Sequence, residues 1–201
     1  MPVVARLLVL GILRMCGRAH GYQIRQTLLS WSADEWANLR GGSIYHALRK
    51  LAEEGLLNIV GRETGDAAPD RTVYEMTEQG EALFFRLVSR GISDADSSFD
   101  ELSAAATFLP ALGRTRAVDA LTARISALEA RLSDRRRAAD ALASDKPEHT
   151  LEVYELGTSR IETELSWARR LCVRLHDGAF VMAGESPNYF GRPGSLQVVL
   201  S

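Results

Sequence analysis

One amphipathic segment constrains the fold more than any other part of the chain. Within residues 41–55, Ile44, Ala47, Leu48 and Leu51 stand at positions i, i+3, i+4 and i+7, which is the spacing of a helix with one buried face. The opposite face carries the following aromatic and basic side chains: Tyr45, His46, Arg49 and Lys50. The segment therefore predicts a helix that packs on one side and offers hydrogen-bond donors on the other.

Both ends of this helix are marked, and two helices are predicted before it. Ser43 or a glycine beside it can cap the start, and Gly55 suits the end. Apolar residues recur at helical spacing in residues 3–15, and a second helix is predicted after Gly21. Residues 33–40 are expected to be a connection.

A β-hairpin is predicted after the amphipathic helix. Residues 57–60 and 72–76 are strand-like, and the residues between them are rich in turn formers. Thr77 is predicted to cap a fourth helix. Three helices followed by a hairpin are the order of a winged helix-turn-helix, in which the third helix lies in the major groove of DNA and the hairpin reaches the neighbouring backbone.

The charges are unevenly distributed along the chain. The whole sequence has a net charge of −2, which excludes a uniformly basic surface. Residues 1–52 nevertheless contain seven cations and two anions, a net charge of +5. The first quarter of the chain therefore suits a polyanion and the remainder does not.

The second half predicts a separate helical domain. After a polar joint at residues 93–98 and a short helix to about residue 109, two long helices keep apolar residues at alternating spacings of three and four over about four heptads, which favours helix pairing. The expected fold is mainly α, with an N-terminal winged helix-turn-helix and long antiparallel C-terminal helices that form a dimerisation domain. The expected divisions of the 201 residues are a winged domain at 1–91, a helical dimerisation and effector domain at 92–178 and a loose tail at 179–201.

No catalytic or cofactor-binding motif stands in the sequence. The patterns G-x-S-x-G, H-E-x-x-H, C-x-x-C and G-x-G-x-x-G are missing, so neither an enzyme, a metal site nor a cofactor is predicted. Two cysteines, Cys16 and Cys172, are too few for a secreted disulfide framework. No apolar run approaches the ~18 residues that span a bilayer. We therefore expect a cytoplasmic protein with no membrane contact.

Three ordered motifs resemble those of a known family. The first is GYQI at residues 21–24, the second is SIYHALRKLAEEGLL at residues 43–57, and the third is RTVYEMTEQG at residues 71–80. Together they resemble the PadR family of bacterial transcription regulators over roughly residues 5–90. The long helices of the second half are similar to those of the subgroup with a larger C-terminal dimerisation domain.

The resemblance implies a function and a set of DNA-contacting residues. Family members are dimeric regulators, often repressors, that place two winged domains on a palindromic operator and release DNA when a small aromatic compound binds. The resemblance implies that the recognition helix contacts DNA through Ser43, Tyr45, Arg49 and Lys50. It implies that the wing contacts DNA through Arg62 and Arg71. The sequence departs from the family pattern at His46, where members often have proline, so that His46 is either a further DNA contact or a bystander. The wing also carries Glu63, Asp66 and Asp70, which repel phosphate.

Some alternatives remain open from the sequence. Phe108, Tyr154 and Trp167 are expected either to line an effector pocket, between helices or across the dimer, or to be plain core aromatics. A MarR-like or ArsR-like winged-helix regulator is the first alternative to a PadR-like one. A winged helix that binds another protein and has no DNA role is the second.

Overall fold

The computed structural model describes residues 3–37, 39, 41–65, 68–142 and 147–196. Over these ranges the chain forms the following elements in order: α1 (Val3–Cys16), β1 (Arg18–His20), α2 (Gly21–Ser30), α3 (Ala33–Trp36), α4 (Gly41–Glu53), β2 (Leu57–Gly65), β3 (Ala68–Met76), α5 (Glu78–Ser93), α6 (Phe99–Thr107), a 3-10 turn (Leu109–Leu112), α7 (Arg114–Leu142) and α8 (Glu148–His176). The predicted fold class is confirmed: a winged helix-turn-helix precedes two long antiparallel helices.

α1 is the centre of the molecule and is buried on every side. Its residues from Val4 to Met15 are buried apart from Arg6, because α4, α5 and α6 all pack around it. Gly11 lies directly under the ring of Phe108, and a Cβ atom at that position would overlap the ring. The absence of a side chain at Gly11 therefore lets the residues after α6 close over the central helix.

A three-stranded antiparallel sheet completes the winged domain. The strand order is β1–β3–β2, so β3 is the central strand and the predicted hairpin is formed by β2 and β3. β1 was not predicted, because its three residues are too short to form a pattern and are extended only by pairing with β3. The residues expected to be a connection also contain the single helical turn of α3.

The predicted cap of α5 is confirmed and joins this helix to α4. The Thr77 hydroxyl oxygen accepts a hydrogen bond from the Gly80 amide at 3.1 Å, and the same hydroxyl donates to the Gly55 carbonyl at 3.0 Å. The Thr77 amide donates to the Leu56 carbonyl at 3.1 Å. The start of α5 is therefore fixed to the turn that ends α4.

The two long helices pack against each other as an antiparallel hairpin. Leu128, Leu132 and Leu165 form a small cluster at the middle of their contact. Nearer the tip, Arg135 occupies the seam, with its guanidinium packed on Gly157 and its Nε donating to the Tyr154 carbonyl at 3.0 Å. The apolar heptad positions predicted for helix pairing therefore pack α7 against α8 of the same chain.

The tail differs from its expected loose state. Met182 is fully buried, and the ring of Phe190 lies 5.7 Å from that of Trp31 and 6.1 Å from that of Phe108. The Leu196 amide donates to the Met15 carbonyl at 3.0 Å. Periodicity could not reveal this packing, because the buried tail residues are irregularly spaced; residues 197–201 lie outside the described ranges.

The expected division at residue 91 is not a break in the hydrophobic core. α5 continues through that position to Ser93, and buried residues of α1, α5, α6 and the first turns of α7 belong to one cluster. The proposed domains therefore stay a prediction. In the described part of the chain, every helix is too short or too polar to cross a membrane.

Replacing Phe108, whose ring covers Gly11 of α1, tests how much this ring stabilises the core. We expect Phe108→Ala to lower the free energy of unfolding in urea by about 3–5 kcal/mol, because it leaves a cavity over Gly11. Phe99→Ala is the matched control, since that ring is 69% exposed and its removal is expected to change stability by less than about 0.5 kcal/mol. Equal effects of the two changes would contradict the central position of Phe108.

Candidate nucleic-acid interface

The two faces of α4 are separated as the sequence predicts. Ile44, Ala47, Leu48 and Leu51 are buried against the core of the winged domain. The other face bears the candidate recognition residues, among which Ser43 is half-buried and the following are exposed: Tyr45, His46, Arg49 and Lys50. A helix held in this way can present its outer side chains to a groove without rearranging its packing.

Close packing between α2 and α4 positions Tyr45. A Cβ atom at Gly21 would lie 2.9 Å from Cε1 of Tyr45 and 3.1 Å from Cδ1 of Leu48. Glycine at the start of α2 therefore allows the Tyr45 ring to rest on that helix while the residue stays 43% exposed. Tyr45 is both a packing residue of the helix pair and part of the outer face.

The two cations of α4 differ in their partners. The Lys50 ammonium donates to Oε2 of Glu53 at 2.6 Å, and this contact raises the pKa of Lys50 and lowers the pKa of Glu53. The Arg49 guanidinium makes no hydrogen bond or ion pair to any described residue. Arg49 is therefore ready to bind an external acceptor, whereas Lys50 must first leave Glu53. The spacing i, i+3 of Lys50 and Glu53 is a sequence signal for this pair.

Several other cations of the first quarter are neutralised from later in the chain. Arg6 pairs with Glu54 at 2.9 Å, Arg14 with Glu81 at 3.0 Å and Arg18 with Glu75 at 3.2 Å. These acids lie beyond residue 52, so the net charge of that segment overstates the basicity of the folded surface. Arg40 lies outside the described residues.

The wing brings two predicted residues close together along the hairpin. Arg62 of β2 is opposite Thr72, and Arg71 of β3 is opposite Glu63, so the backbones of the two arginines are one register step apart. Both positions lie in the part of the hairpin far from the core. The acidic residue Asp66 lies outside the described ranges.

The three aromatic residues expected at an effector pocket are not brought together within one chain, so a pocket across a dimer stays a prediction. Phe108 is fully buried in the core, with its ring 5.4 Å from that of Phe84. Tyr154 and Trp167 both belong to α8 and are separated along it by about 20 Å. Tyr154 packs under Arg135, whose guanidinium lies 5.3 Å from the ring centre. None of the three lines the open cavity of ≈ 490 Å³ between α7 and α8.

The described ranges hold no cluster of metal ligands, and the Cys16 thiol within them is not activated. They bring no three His, Cys, Asp or Glu side chains together as metal ligands. Burial raises the pKa of the Cys16 thiol to about 11, so that it stays protonated at neutral pH.

Comparison with known proteins identifies the family of the winged part of the chain. Residues 9–85 match the family model described as the transcriptional regulator PadR-like family. This part of the chain belongs to the PadR-like family. The resemblance inferred from the three motifs is thereby confirmed, and the MarR-like and ArsR-like alternatives are set aside. The PadR-like family is one of transcriptional regulators and not of enzymes.

Several solved structures are similar to the chain at low sequence identity. Bacillus subtilis PadR in complex with operator DNA is 22% identical over 85% of this chain and 98% of that chain, with a TM-score of 0.39. Bacillus subtilis PadR in complex with p-coumaric acid is 22% identical over 88% and 98%, with a TM-score of 0.38. The protein smu.1604c from Streptococcus mutans UA159 is 18% identical over 84% and 98%, with a TM-score of 0.39. No curated protein matches the chain.

The PadR-like match includes the whole of α4 and ends within α5. It leaves α6, α7 and α8 outside, so the expected subgroup with a large dimerisation domain stays a prediction. The assignment of the family depends on the sequence match of residues 9–85.

The pairing of Lys50 with Glu53 can be measured directly. Since the ammonium lowers the pKa of the carboxyl, Lys50→Met should raise the pKa of Glu53 toward its ordinary value of 4.5 in an NMR titration of side-chain carboxyl resonances. Glu185, whose pKa is lowered by Arg114, serves as the internal control and should not move. An unchanged Glu53 would show that the pair does not form in solution.

Proposed function

We propose that this chain is a ligand-responsive repressor that binds a palindromic operator as a homodimer. The observation that carries the DNA-binding part is the exposed Arg49 guanidinium, which has no ion-pair partner among the described residues and stands on a helix whose other face is buried. Membership of residues 9–85 in the PadR-like family supports the regulatory part.

The proposed contacts divide between bases and phosphates. Arg49 can donate two hydrogen bonds to a guanine edge or to a phosphate, and its planar fork suits both. Ser43, Tyr45 and Lys50 suit phosphate oxygens, and His46 is a neighbouring contact. The wing arginines, Arg62 and Arg71, contact the adjacent DNA backbone. The acidic residues of the wing weaken the contribution of this contact to the affinity for DNA.

Dimerisation is proposed to use the outer face of α8. The heptad seam is already filled within the chain, so a second copy must use another surface. Val153 and Leu156 are each 65% exposed on α8, next to the acidic residues Glu152 and Glu155. The last turns of the same helix carry Arg170 and Arg174, so two antiparallel copies of α8 would bring acidic and basic ends together.

The effector is proposed to be a small aromatic compound. This proposal follows from the family resemblance alone. A ligand of this kind would release DNA only if it binds more tightly to an arrangement in which the winged domains no longer match the half-sites.

A role in protein binding without DNA is the second function. It is favoured by Ile59 and Val60, two exposed apolar residues on β2, which is an edge strand of the sheet. Selection of bound sequences from random duplex DNA by the purified protein distinguishes the two. A selected palindrome supports the repressor, and no enrichment supports the protein-binding module.

Arg49 is the decisive residue for DNA binding. At the selected site, Arg49→Ala should weaken binding by about 1–3 kcal/mol, because the fork to base or phosphate is lost. Arg137→Ala, an exposed arginine on α7, is the matched control and should leave the affinity unchanged. If both variants bind as the unaltered protein does, the recognition-helix assignment is wrong.

The proposed dimer surface is tested by one buried charge. Leu156→Glu places a carboxylate beside Glu152 and should convert the dimer to a monomer in sedimentation equilibrium, since unpaired charges in an interface are strongly unfavourable. Ala130→Glu, an exposed position on α7, is the control and should stay dimeric. A dimeric Leu156→Glu variant would exclude this face of α8.

A further inference from the structure

A buried arginine lies where the winged domain meets the long helices. Arg124 of α7 is 0% exposed. Its Nε donates to Oε1 of Glu164 on α8 at 2.7 Å. Its Nη1 donates to three carbonyl oxygens at the end of α5: Gly91 at 3.2 Å, Ile92 at 3.1 Å and Asp94 at 2.7 Å. One side chain thus joins three helices.

The acceptors explain why a cation is held there. The last carbonyl groups of a helix have no partner within the helix and carry its negative dipole end, so a guanidinium satisfies them in both respects. Among the described residues, Glu164 is the one carboxylate that pairs with Arg124. If α8 moved away, the buried guanidinium would lose the carboxylate to which it is hydrogen-bonded, so the positions of α5 and α8 are energetically linked.

A second arginine supports the same joint without reaching α8. Arg131 lies two helical turns after Arg124 on α7, and its Nη1 donates to the Ala95 carbonyl at 2.5 Å. It also contacts the carboxylate of Asp96. α7 therefore holds the α5–α6 connection at two points, and the point at Arg124 adds α8.

The other end of α5 is fixed to the recognition helix. Thr77 bonds to the Gly55 and Leu56 carbonyls, directly after α4 ends at Glu53. The 16 residues of α5 span about 24 Å at the rise of an α-helix. A tilt of α5 relative to α7 and α8 would consequently displace α4 at the far end.

We propose that Arg124, anchored by Glu164, is a positioning residue that sets the separation of the two recognition helices in the dimer. It does so by fixing the angle between α5 and the α7–α8 hairpin, and it thereby determines which spacing of half-sites the protein binds. This inference rests on the proposed function, because it requires a dimer with two DNA-binding helices.

The test compares operators that differ in the spacing of their half-sites. The selected palindrome is rebuilt with base pairs added or removed at its centre, and a single half-site is included. For Glu164→Gln, the affinity for the operator with the best spacing should fall about tenfold, because the matching arrangement becomes a minor state. The affinities for the other operators should approach this reduced value. Binding to the single half-site should be unchanged, because α4 and its packing are intact.

Two further variants separate positioning from simple stability. Glu162→Gln removes an α8 carboxylate that pairs with Arg136 of α7 at 2.7 Å and does not touch α5, so it should keep the original spacing profile. Arg124→Lys keeps the charge but cannot bridge Glu164 and the carbonyl groups together, so it should broaden the profile. An original profile in Glu164→Gln or Arg124→Lys, or an equal loss at the single half-site, would overturn the proposal.

A measurement without DNA keeps the inference separate from the proposed function. Spin labels at Asn58 in the wing and Ser126 on α7, with Cys16 and Cys172 replaced by alanine, report the distance between the two parts of one chain. Glu164→Gln should broaden this distance distribution, and Glu162→Gln should not. An unchanged distribution in Glu164→Gln overturns the positioning role, whereas failure of the unaltered protein to bind DNA or to dimerise overturns the proposed function.

Discussion

The burial of α1 on every side is the constraint on which the rest of the structure depends. A helix whose residues are nearly all apolar must be enclosed, and here the winged domain alone does not enclose it. α6, Phe108 and the tail cover the sides that α4 and α5 leave open. Because α4 packs directly on α1, the orientation of α4 depends on elements far beyond the PadR-like segment.

α1 contains one buried cation, Arg14, which needs polar partners inside the core. Arg14 points into the junction between α1, α5 and the tail, where it pairs with Glu81 and stacks 5.0 Å from the centre of the Phe85 ring. It also contacts the Gly191 carbonyl. A side chain that counted toward a basic DNA-binding surface in the sequence is therefore a structural residue of the core, and the tail is held in place partly by satisfying it.

Local chemistry made the sequence informative for α4, the hairpin, the Thr77 cap and the two long helices, since each is specified by periodicity or by a capping residue within its own segment. The exposed face of α4 followed from the same periodicity. β1 and the packed tail could not be predicted, because they are ordered by partners distant in sequence: β1 pairs with β3, and Phe190 packs on Trp31. The aromatic residues Phe108, Tyr154 and Trp167 lie apart within one chain, which the sequence could not show because composition does not tell which aromatic residues are neighbours.

Arginine serves opposite purposes in this chain, and only its surroundings distinguish them. Arg14 and Arg124 are buried and donate hydrogen bonds to carboxylate and carbonyl groups near the start and the end of α5, so they fix the two ends of the packing around this helix. Arg49, in contrast, lies on the exposed face of α4. In the proposed function, the buried arginines hold α4 in a definite position relative to α7 and α8, and Arg49 needs such a position to select one site on DNA.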